Sequence, residues 1–240
     1  MYKKIFLTAE WRKLAFANYT IDPEILKPYL PAGTTLDLWN NKCYVSLVGF
    51  MFINTKLKGI HIPFHIDFEE VNLRFYVLRE ENGIVKRGVT FIKEIVSKPA
   101  LTFIANTLYN EKYVTYPMRH TWTSENDTLK VSYEWKHRNH WNKFELTTDS
   151  HSAVMREGSE DEFIAEHYWG YAKVNSTQST EYHLLHPSWQ LYPVRDFNID
   201  VDFGALYGAE FSVLNHQSPS SVMLAEGSEV QIFQERRKLG

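Results

Sequence analysis

The chain has 240 residues, a formal net charge of −3 and a single cysteine, Cys43. Its length fits one large domain or two small halves, and its weakly acidic charge excludes the global basic field that attracts nucleic acid. One cysteine cannot form an intrachain disulfide, and no apolar run approaches the ~20 residues that cross a bilayer. We therefore expect a cytoplasmic protein without a nucleic-acid or membrane partner.

The N-terminal third predicts a short helix followed by strands. Asp22 can cap a helix whose first position is Pro23. The apolar run "KCYVSLVGFMFINT" is typical of a strand that is buried on both faces. The next segment, "EEVNLRFYVLREENGIVKRGVTFIKEIV", predicts a hairpin with strands over about residues 69–79 and 84–96 and a turn at "EENG".

The segment "SKPALTFIANTLYN" predicts an amphipathic helix with Pro99 in its first turn. One helical face collects the residues at positions i, i+3, i+4, i+7 and i+8, which are Ala100, Phe103, Ile104, Thr107 and Leu108. Asn110 is a typical C-terminal stop. Lys112 then lies in the connection or strand after the helix, where functional groups are common.

The remaining half predicts more strands and one more helix. "HTWTSENDTLKVSYEWKH" predicts a hairpin that turns at "SEND", and "KFELTTD" predicts a third strand. Ser159 and Glu162 form a capping-box pattern, and helical spacing continues from Phe163 to Tyr171. Short strands broken by Pro and Gly follow. We therefore predict an α+β fold, mainly antiparallel β with a few peripheral helices, as a single domain over residues 1–240.

Four polar residues alternate along the first strand of the predicted hairpin. Glu70, Asn72, Arg74 and Tyr76 share one face of "EEVNLRFYV", and the residues between them form an apolar face. Such alternation is typical of a solvated outer face. It also fits the polar wall of an internal cavity, and the alternation by itself favours the solvated face without excluding the cavity.

Lys93 is a candidate nucleophile in the second strand of the hairpin. By alternation it shares a face with Val89, Phe91 and Ile95, and an apolar environment lowers the pKa of a lysine. Schiff-base chemistry needs such a neutral amine, because only that form attacks a carbonyl. The alternative is an edge lysine whose apolar stem packs on the sheet while its ammonium group reaches water.

Lys112 is a second lysine candidate, beside Glu111, Tyr113 and Tyr116. The neighbouring carboxylate favours the charged ammonium form and so works against a nucleophilic role. The local sequence therefore favours a charged surface lysine, although a reactive amine stays open at this point.

Neither a metal nor a cofactor is expected. The histidines form three close pairs, His61 and His65, His137 and His140, and His183 and His186. A metal site needs a third ligand on a defined element, and the sequence has no HExxH or CxxC pattern. It also lacks the Walker, GxGxxG and GxSxG motifs.

Several segments together resemble the YqjF-like family, a largely uncharacterised group within the acetoacetate decarboxylase superfamily. They are "IDPEILKPYLPAG", "FEEVNLRFYV", "RGVTFIKEIVSKPALTFIANTLYNEKY", "EHYWGYA" and "HPSWQL", and the resemblance spans about residues 9–195. It implies a closed or cone-shaped β-sheet with an interior pocket and flanking helices. It therefore favours an orientation of Glu70 and Arg74 toward a cavity.

The resemblance also implies that the catalytic amine is missing. Decarboxylases of the superfamily use a lysine in a "GFPKK" motif that follows a helix. The equivalent segment here is "NEKYV", in which the two motif lysines fall on Tyr113 and Val114 and Lys112 takes the place of the proline. A shift of one residue in a strand moves a side chain to the opposite face, so Lys112 is not a direct substitute. The superfamily's pocket glutamate is matched by Glu70.

We therefore expect a small-molecule-binding protein or enzyme with an interior pocket and no Schiff-base lysine at the motif position. Glu70 would act as acid or base, Arg74 would hold an anionic group, and Tyr113 would donate a hydrogen bond. The expected ligand carries a carboxylate or a carbonyl group. Further pocket candidates are Asn72, Tyr76, Lys93, Lys112, Tyr116 and His167.

Two alternative functions remain at this level. The first is a Schiff-base decarboxylase or aldolase-like enzyme that uses Lys93 or Lys112. The second is a non-catalytic ligand-binding or sensing protein, which the high content of aromatic residues would suit. A homo-oligomer is compatible with each of these functions.

Overall fold

The computed structural model describes residues 4–109 and 112–239. Strands dominate the fold, as expected. In chain order they are β1 (Ile5–Thr20), β2 (Thr35–Leu36), β3 (Tyr44–Leu57), β4 (Phe68–Glu81), β5 (Ile84–Val96), β6 (Tyr113–Thr115), β7 (Met118–Glu125), β8 (Thr128–His137), β9 (His140–Asp149), β10 (Ala153–Val154), β11 (Trp169–Lys173), β12 (Ser179–Leu185), β13 (Gln190–Tyr192), β14 (Val194–Asp200) and β15 (Ser221–Leu239).

The helices are short and lie between strands. They are α1 (Pro23–Leu26), α2 (Pro99–Tyr109), α3 (Glu160–Ala165) and α4 (Phe203–Tyr207), with 3₁₀ turns at Lys27–Tyr29 and Ala209–His216. Asp22 caps α1 as predicted, because its carboxylate accepts a hydrogen bond of 2.9 Å from the Glu24 N–H. No helix in the described ranges has the length and apolar character needed to cross a bilayer.

The larger sheet closes on itself. Its strands follow the order β1, β3, β4, β5, β11, β12 and β15, and β15 also pairs with β1 in antiparallel register from Ile5 to Asn18. All of these neighbours are antiparallel except β5 and β11. Because side chains alternate along a strand, closure directs one face of each strand toward an enclosed interior.

A second sheet, with the order β14, β9, β8 and β7, packs on the outside of the closed sheet. Tyr133 of β8 connects the two sheets, since its hydroxyl donates a hydrogen bond of 2.7 Å to the Lys13 carbonyl of β1. Its ring lies directly over Gly49 of β3, where a Cβ atom would come within 2.8 Å of the Tyr133 ring. The glycine therefore permits the close approach of the two sheets.

The two faces of β4 enter different cores. Val71, Leu73 and Phe75 belong to the core between the two sheets, and all are fully buried. The alternate residues point into the closed sheet, where Tyr76 joins an interior cluster with Phe16 of β1. Because the sheet is closed, the polar face of this strand is an inner wall and not a solvated surface.

The predicted hairpins are confirmed. The first consists of β4 and β5, and the second consists of β7 and β8 with Asn126 and Asp127 in the left-handed region at the turn. The strand predicted for "KFELTTD" is β9. The prediction of short strands near the C-terminus is wrong for the last strand, β15, which has 19 residues. Pairing with both β1 and β12 stabilises this one long strand.

The helix predicted from Phe163 to Tyr171 is too long. The Ser159 hydroxyl caps α3 as predicted, but the helix ends at Ala165 and Glu166 leaves the helical region. The residues from Trp169 onward form β11, which pairs with β5 and β12. Strand pairing of this aromatic segment overrides its local helical spacing.

The apolar face predicted for α2 faces the interior only in part, since Ala100 and Ile104 border a cavity of the closed sheet while Phe103 is 72% exposed. Ala100, Phe103, Ile104 and Thr107 are exposed, whereas the side chain of Leu108, along with Asn110 and Glu111, lies outside the described residues. Leu101 packs against the interior cluster, and Thr102 bonds to Thr115 of β6 through their hydroxyls at 2.6 Å. Asn106 bonds to the Tyr113 backbone twice at 2.8 Å, and these polar contacts set the rotation of the helix.

The contact between Gly49 and Tyr133 leads to a testable prediction. The substitution Gly49→Ala should lower the free energy of unfolding by about 1–3 kcal/mol, because the added methyl group overpacks the contact between the sheets. Urea unfolding would measure this loss. The same substitution in a Tyr133→Leu background should cost much less, since the ring that it meets is absent. Equal losses in both backgrounds would contradict the proposed contact.

Candidate functional site

Two adjoining chambers open inside the closed sheet. An outer chamber of about 180 Å³ is bordered by α2 and by the segment 58–67 that joins β3 to β4. An inner chamber of about 70 Å³ lies deeper among the strands. The chambers share a wall, formed by Phe52, Glu70, Glu94, Tyr113, Tyr182 and Ile232.

The two chambers differ in chemical character. Apolar side chains dominate the outer chamber and are Phe6, Leu7, Phe52, Leu57, Ile62, Phe68, Ala100, Leu101, Ile104 and Ile232. The inner chamber adds polar groups among aromatic rings, and these groups are Asn72, Arg74, His167 and His186. A cavity with an apolar body and a few convergent polar groups is the usual form of a small-molecule site.

Glu70 lies on the shared wall and is 3% exposed. Its carboxyl group accepts hydrogen bonds from the Asn72 amide at 2.9 Å and from the Tyr113 hydroxyl at 3.1 Å. Burial raises the pKa of Glu70 to about 7, even though these hydrogen bonds and the charge of Arg74 act in the opposite direction. The group can therefore gain and lose a proton near neutral pH.

Arg74 carries a buried positive charge in the inner chamber. It is 7% exposed, its Nη2 donates to the Ile164 carbonyl at 3.2 Å, and its guanidinium lies 5.1 Å from the Phe16 ring centroid. Its Nε has no hydrogen-bond partner, and no carboxylate of the described residues forms an ion pair with it. A buried cation with a vacant donor is suited to bind an anion.

Two histidines complete the inner chamber. His167 is fully buried, and burial lowers its pKa to about 4. Neither of its ring nitrogens has a hydrogen-bond partner in the described part of the chain. Nε2 lies 3.7 Å from Asp37 Oδ2, which is too far for a hydrogen bond. Burial also lowers the pKa of His186, which stacks on Trp189 at 4.2 Å. Both imidazoles are therefore neutral at pH 7.

A β-bulge decides which side chains of β5 reach the chambers. Leu73 pairs with Lys93 and Arg74 pairs with Phe91, so Ile92 is an extra residue between them. The extra residue reverses the alternation, so Glu94 lines both chambers and Phe91 lines the inner one. The prediction that Lys93 shares a face with Val89 and Phe91 is therefore wrong.

Lys93 lies on the outer side of the closed sheet, below α4. Its ammonium group bonds to the Leu206 carbonyl and lies 5.9 Å from the Tyr207 ring centroid. Burial lowers its pKa, as the sequence suggested, but the amine does not line either chamber. The environment of Lys93 was therefore anticipated, whereas its position was not.

The other sequence candidates divide between the chambers and their surroundings. Lys112 lies with its Nζ 5.0 Å from the Tyr29 ring, on the side opposite to Tyr113. Tyr116 packs against the core between the sheets. Tyr76 supports the inner wall, with its ring 4.8 Å from His167 and its hydroxyl 2.6 Å from Ser46 Oγ.

Several lining residues were missed by sequence reasoning. Glu94, Tyr182, His186 and Trp189 all line the inner chamber. The segment "HPSWQL" contains two of them, but its spacing does not indicate which strand it approaches. Among the described residues, no group of three His, Cys, Asp or Glu side chains could hold a metal ion.

The shifted pKa of Glu70 predicts a defined pH dependence of stability. A carboxyl group with a pKa of about 7 in the folded chain and 4.5 in the unfolded chain stabilises the fold below pH 4.5. This contribution is lost as the pH rises through 7. Relative to Glu70→Gln, the wild type should therefore lose about 3 kcal/mol of unfolding free energy between pH 4.5 and 8, measured by urea unfolding.

Glu69→Gln is a matched control from the same strand. Burial acts to raise the pKa of Glu69, but hydrogen bonds from His120 and Ser97 lower it overall, so its contribution is lost as the pH falls. The unfolding free energy of the wild type should therefore fall relative to Glu70→Gln as the pH rises. Relative to Glu69→Gln, it should fall as the pH decreases. His167 is present in all three proteins, so its contribution to the pH dependence of unfolding cancels from the comparison. A pH-independent difference for Glu70→Gln would contradict the shifted pKa.

Comparison with known proteins places the chain in a family. The model of the DUF2071 family, described as an uncharacterized conserved protein (COG2071), matches residues 8–229. The uncharacterized protein YqjF of Bacillus subtilis (strain 168) is 27% identical over 130 residues, which cover 54% of this chain and 50% of that protein. The chain thus aligns with about half the length of this curated relative.

Solved structures share the fold at low sequence identity. Acetoacetate decarboxylase from Legionella pneumophila is similar with a TM-score of 0.65 and 12% identity, covering 98% of this chain and 87% of that one. The enduracididine biosynthesis enzyme MppR, in complex with pyruvate, has a TM-score of 0.65 and 10% identity, with coverages of 100% and 92%. An acetoacetate decarboxylase-like enzyme from Sphingomonas wittichii RW1 has a TM-score of 0.62, 13% identity and coverages of 98% and 93%. The chain therefore belongs to the DUF2071 family and has the acetoacetate decarboxylase-like fold.

Proposed function

We propose that this protein binds a small organic acid in the inner chamber and exchanges a proton with it, without forming a Schiff base. The buried guanidinium of Arg74 carries the proposal, since it lines the inner chamber and its Nε has no hydrogen-bond partner among the described residues, which favours an anionic ligand. A carboxylate at Arg74 would neutralise the buried charge. It would also supply an acceptor for Arg74 Nε, for which the described part of the chain provides none.

The proton exchange is assigned to Glu70. A carboxyl group with a pKa of about 7 is close to the operating pH at which general acid–base catalysis is most effective. Tyr113 and Asn72 hold the carboxyl group in one orientation by hydrogen bonds. A carbonyl or acidic carbon of the ligand would then lie near Glu70 while its carboxylate lies at Arg74.

The positions of the lysine side chains favour non-covalent chemistry. No lysine of the described residues is among those that line the chambers. Lys93 and Lys112 are directed toward Leu206 and Tyr29, so the alternative of a Schiff-base enzyme that uses either amine has little structural support. The complex of MppR with pyruvate is consistent with a keto acid as ligand for this fold.

We further propose that residues 1–240 form one domain and that the protein is cytoplasmic. A shared core supports the first part, since Leu47 and Phe75 of the closed sheet and Trp135 of the outer sheet belong to one buried cluster. The single cysteine supports the second part.

Binding of keto acids to Arg74→Gln tests the proposed anion site. The substitution should weaken the binding of pyruvate, acetoacetate and longer keto acids by about 10- to 100-fold, which corresponds to the loss of a charged hydrogen bond. Isothermal titration would measure the change. Arg119→Gln is the matched control, because Arg119 is exposed and pairs only with Glu134 among the described residues. Equal loss in both variants would contradict a specific role of Arg74.

Borohydride treatment separates non-covalent from covalent chemistry. The wild type, mixed with each keto acid that binds and then reduced, should show no mass adduct on any lysine. A reduced adduct that maps to Lys93 or Lys112 would overturn the proposal and support the Schiff-base alternative. Turnover of a bound acid that disappears in Glu70→Gln, with binding retained, would identify Glu70 as the acid or base.

A further inference from the structure

The outer chamber has no role in the function proposed so far. It is larger than the inner chamber, at about 180 Å³ against about 70 Å³, and the two share the wall that contains Glu70 and Tyr113. A small keto acid with its carboxylate at Arg74 would occupy only the inner chamber. The apolar volume beyond Glu70 would then remain empty of ligand.

We propose that the ligand is an aliphatic monocarboxylic acid whose chain extends from Arg74 past Glu70 into the outer chamber. This inference rests on the proposed function, since it needs Arg74 to hold the carboxylate. It adds the substrate class, in which one end is charged and the other is an unbranched hydrocarbon chain.

The order of groups along the cavity supports this orientation. The cation lies in the inner chamber, the proton-exchanging carboxyl group and Tyr113 lie on the shared wall, and aliphatic and aromatic side chains dominate the outer chamber. A hydrocarbon chain gains free energy from each apolar contact that replaces water. A second charged group at the far end would lose its hydration against Leu57, Leu101 and Ile104. Apart from the shared wall, the described lining residues of this chamber offer it only the Thr55 hydroxyl and the His65 imidazole, neither of which is a fixed charge.

The mouth of the outer chamber supports the same class of ligand. Ile62 and Ile104 line the chamber and yet are 41% and 36% exposed. They lie on segment 58–67 and on α2, so they border the chamber from two sides. A hydrocarbon chain in the chamber would contact both residues and remove their apolar surface from water.

The test is a series of straight-chain acids from acetate to dodecanoate, titrated below the concentration at which the longer members form micelles. The dissociation constant should fall about fourfold for each added methylene, as expected when a methylene leaves water for an apolar site. The decrease should stop when the outer chamber is filled. Primary alcohols of the same length serve as control ligands and should bind at least tenfold more weakly than the acids.

Two substitutions on α2 test where the hydrocarbon chain of the ligand lies. Ile104→Gln should reduce the decrease per methylene for the longer acids and leave acetate binding unchanged. Phe103→Gln is the matched control, since Phe103 lies on the same helix, is 72% exposed and does not line the chamber. Arg74→Gln should weaken all acids by a similar factor and keep the dependence on chain length.

The outcomes separate this inference from the proposed function. If short acids bind through Arg74 and chain length has no effect, the inference fails while the anion site stands. If the keto acids bind through Arg74 and no straight-chain acid does, the inference alone fails. If neither series binds, both fail. A chain-length effect that is unaltered by Ile104→Gln, or equal affinity for alcohols and acids, would also overturn the proposed orientation.

Discussion

The antiparallel pairing of β1 with β15 closes the larger sheet, and the candidate site depends on that closure. In an open sheet, the polar face of β4 would be solvated, and the pKa of its glutamate would not be raised by burial. In the closed sheet the same residues line an interior with little access to water. The shifted pKa values of Glu70 and His167, and the burial of the Arg74 guanidinium, follow from this change of environment.

The interior is costly for the fold and useful for a ligand site. A buried guanidinium without an ion-pair partner in the described chain opposes folding, as does a carboxyl group that is pushed toward its neutral form. Proteins depart from good packing and full hydrogen bonding mainly at functional sites. Arg74 Nε and the two ring nitrogens of His167 have no hydrogen-bond partner within the ranges that the structure describes, and both residues line one small chamber. An anionic ligand would therefore compensate for several of these costs at once.

A single extra residue determines the polarity of the chamber wall on β5. Without the bulge at Ile92, strict alternation would direct Lys93 inward with Phe91 and turn Glu94 outward. The chamber would then contain an amine of lowered pKa and resemble a Schiff-base site. With the bulge, the wall carries two carboxyl groups, Glu70 and Glu94, and the amine binds a backbone carbonyl on the outside. The exclusion of the Lys93 amine from the chamber therefore depends on this local register shift.

The features that depend on local physics could be predicted from the sequence. It predicted the hairpins, the Asp22 and Ser159 caps, and the alternation that groups Glu70, Asn72 and Arg74, and the family resemblance predicted the closed fold. Turn residues, capping groups and period-two patterns act over a few residues and can be recognised in one segment at a time. Long-range contacts set the bulge at Ile92, the end of α3 at Ala165, the rotation of α2 and the approach of His186 to the chamber. Each of these depends on which distant strand pairs with the segment, and that choice is a property of the whole packed core.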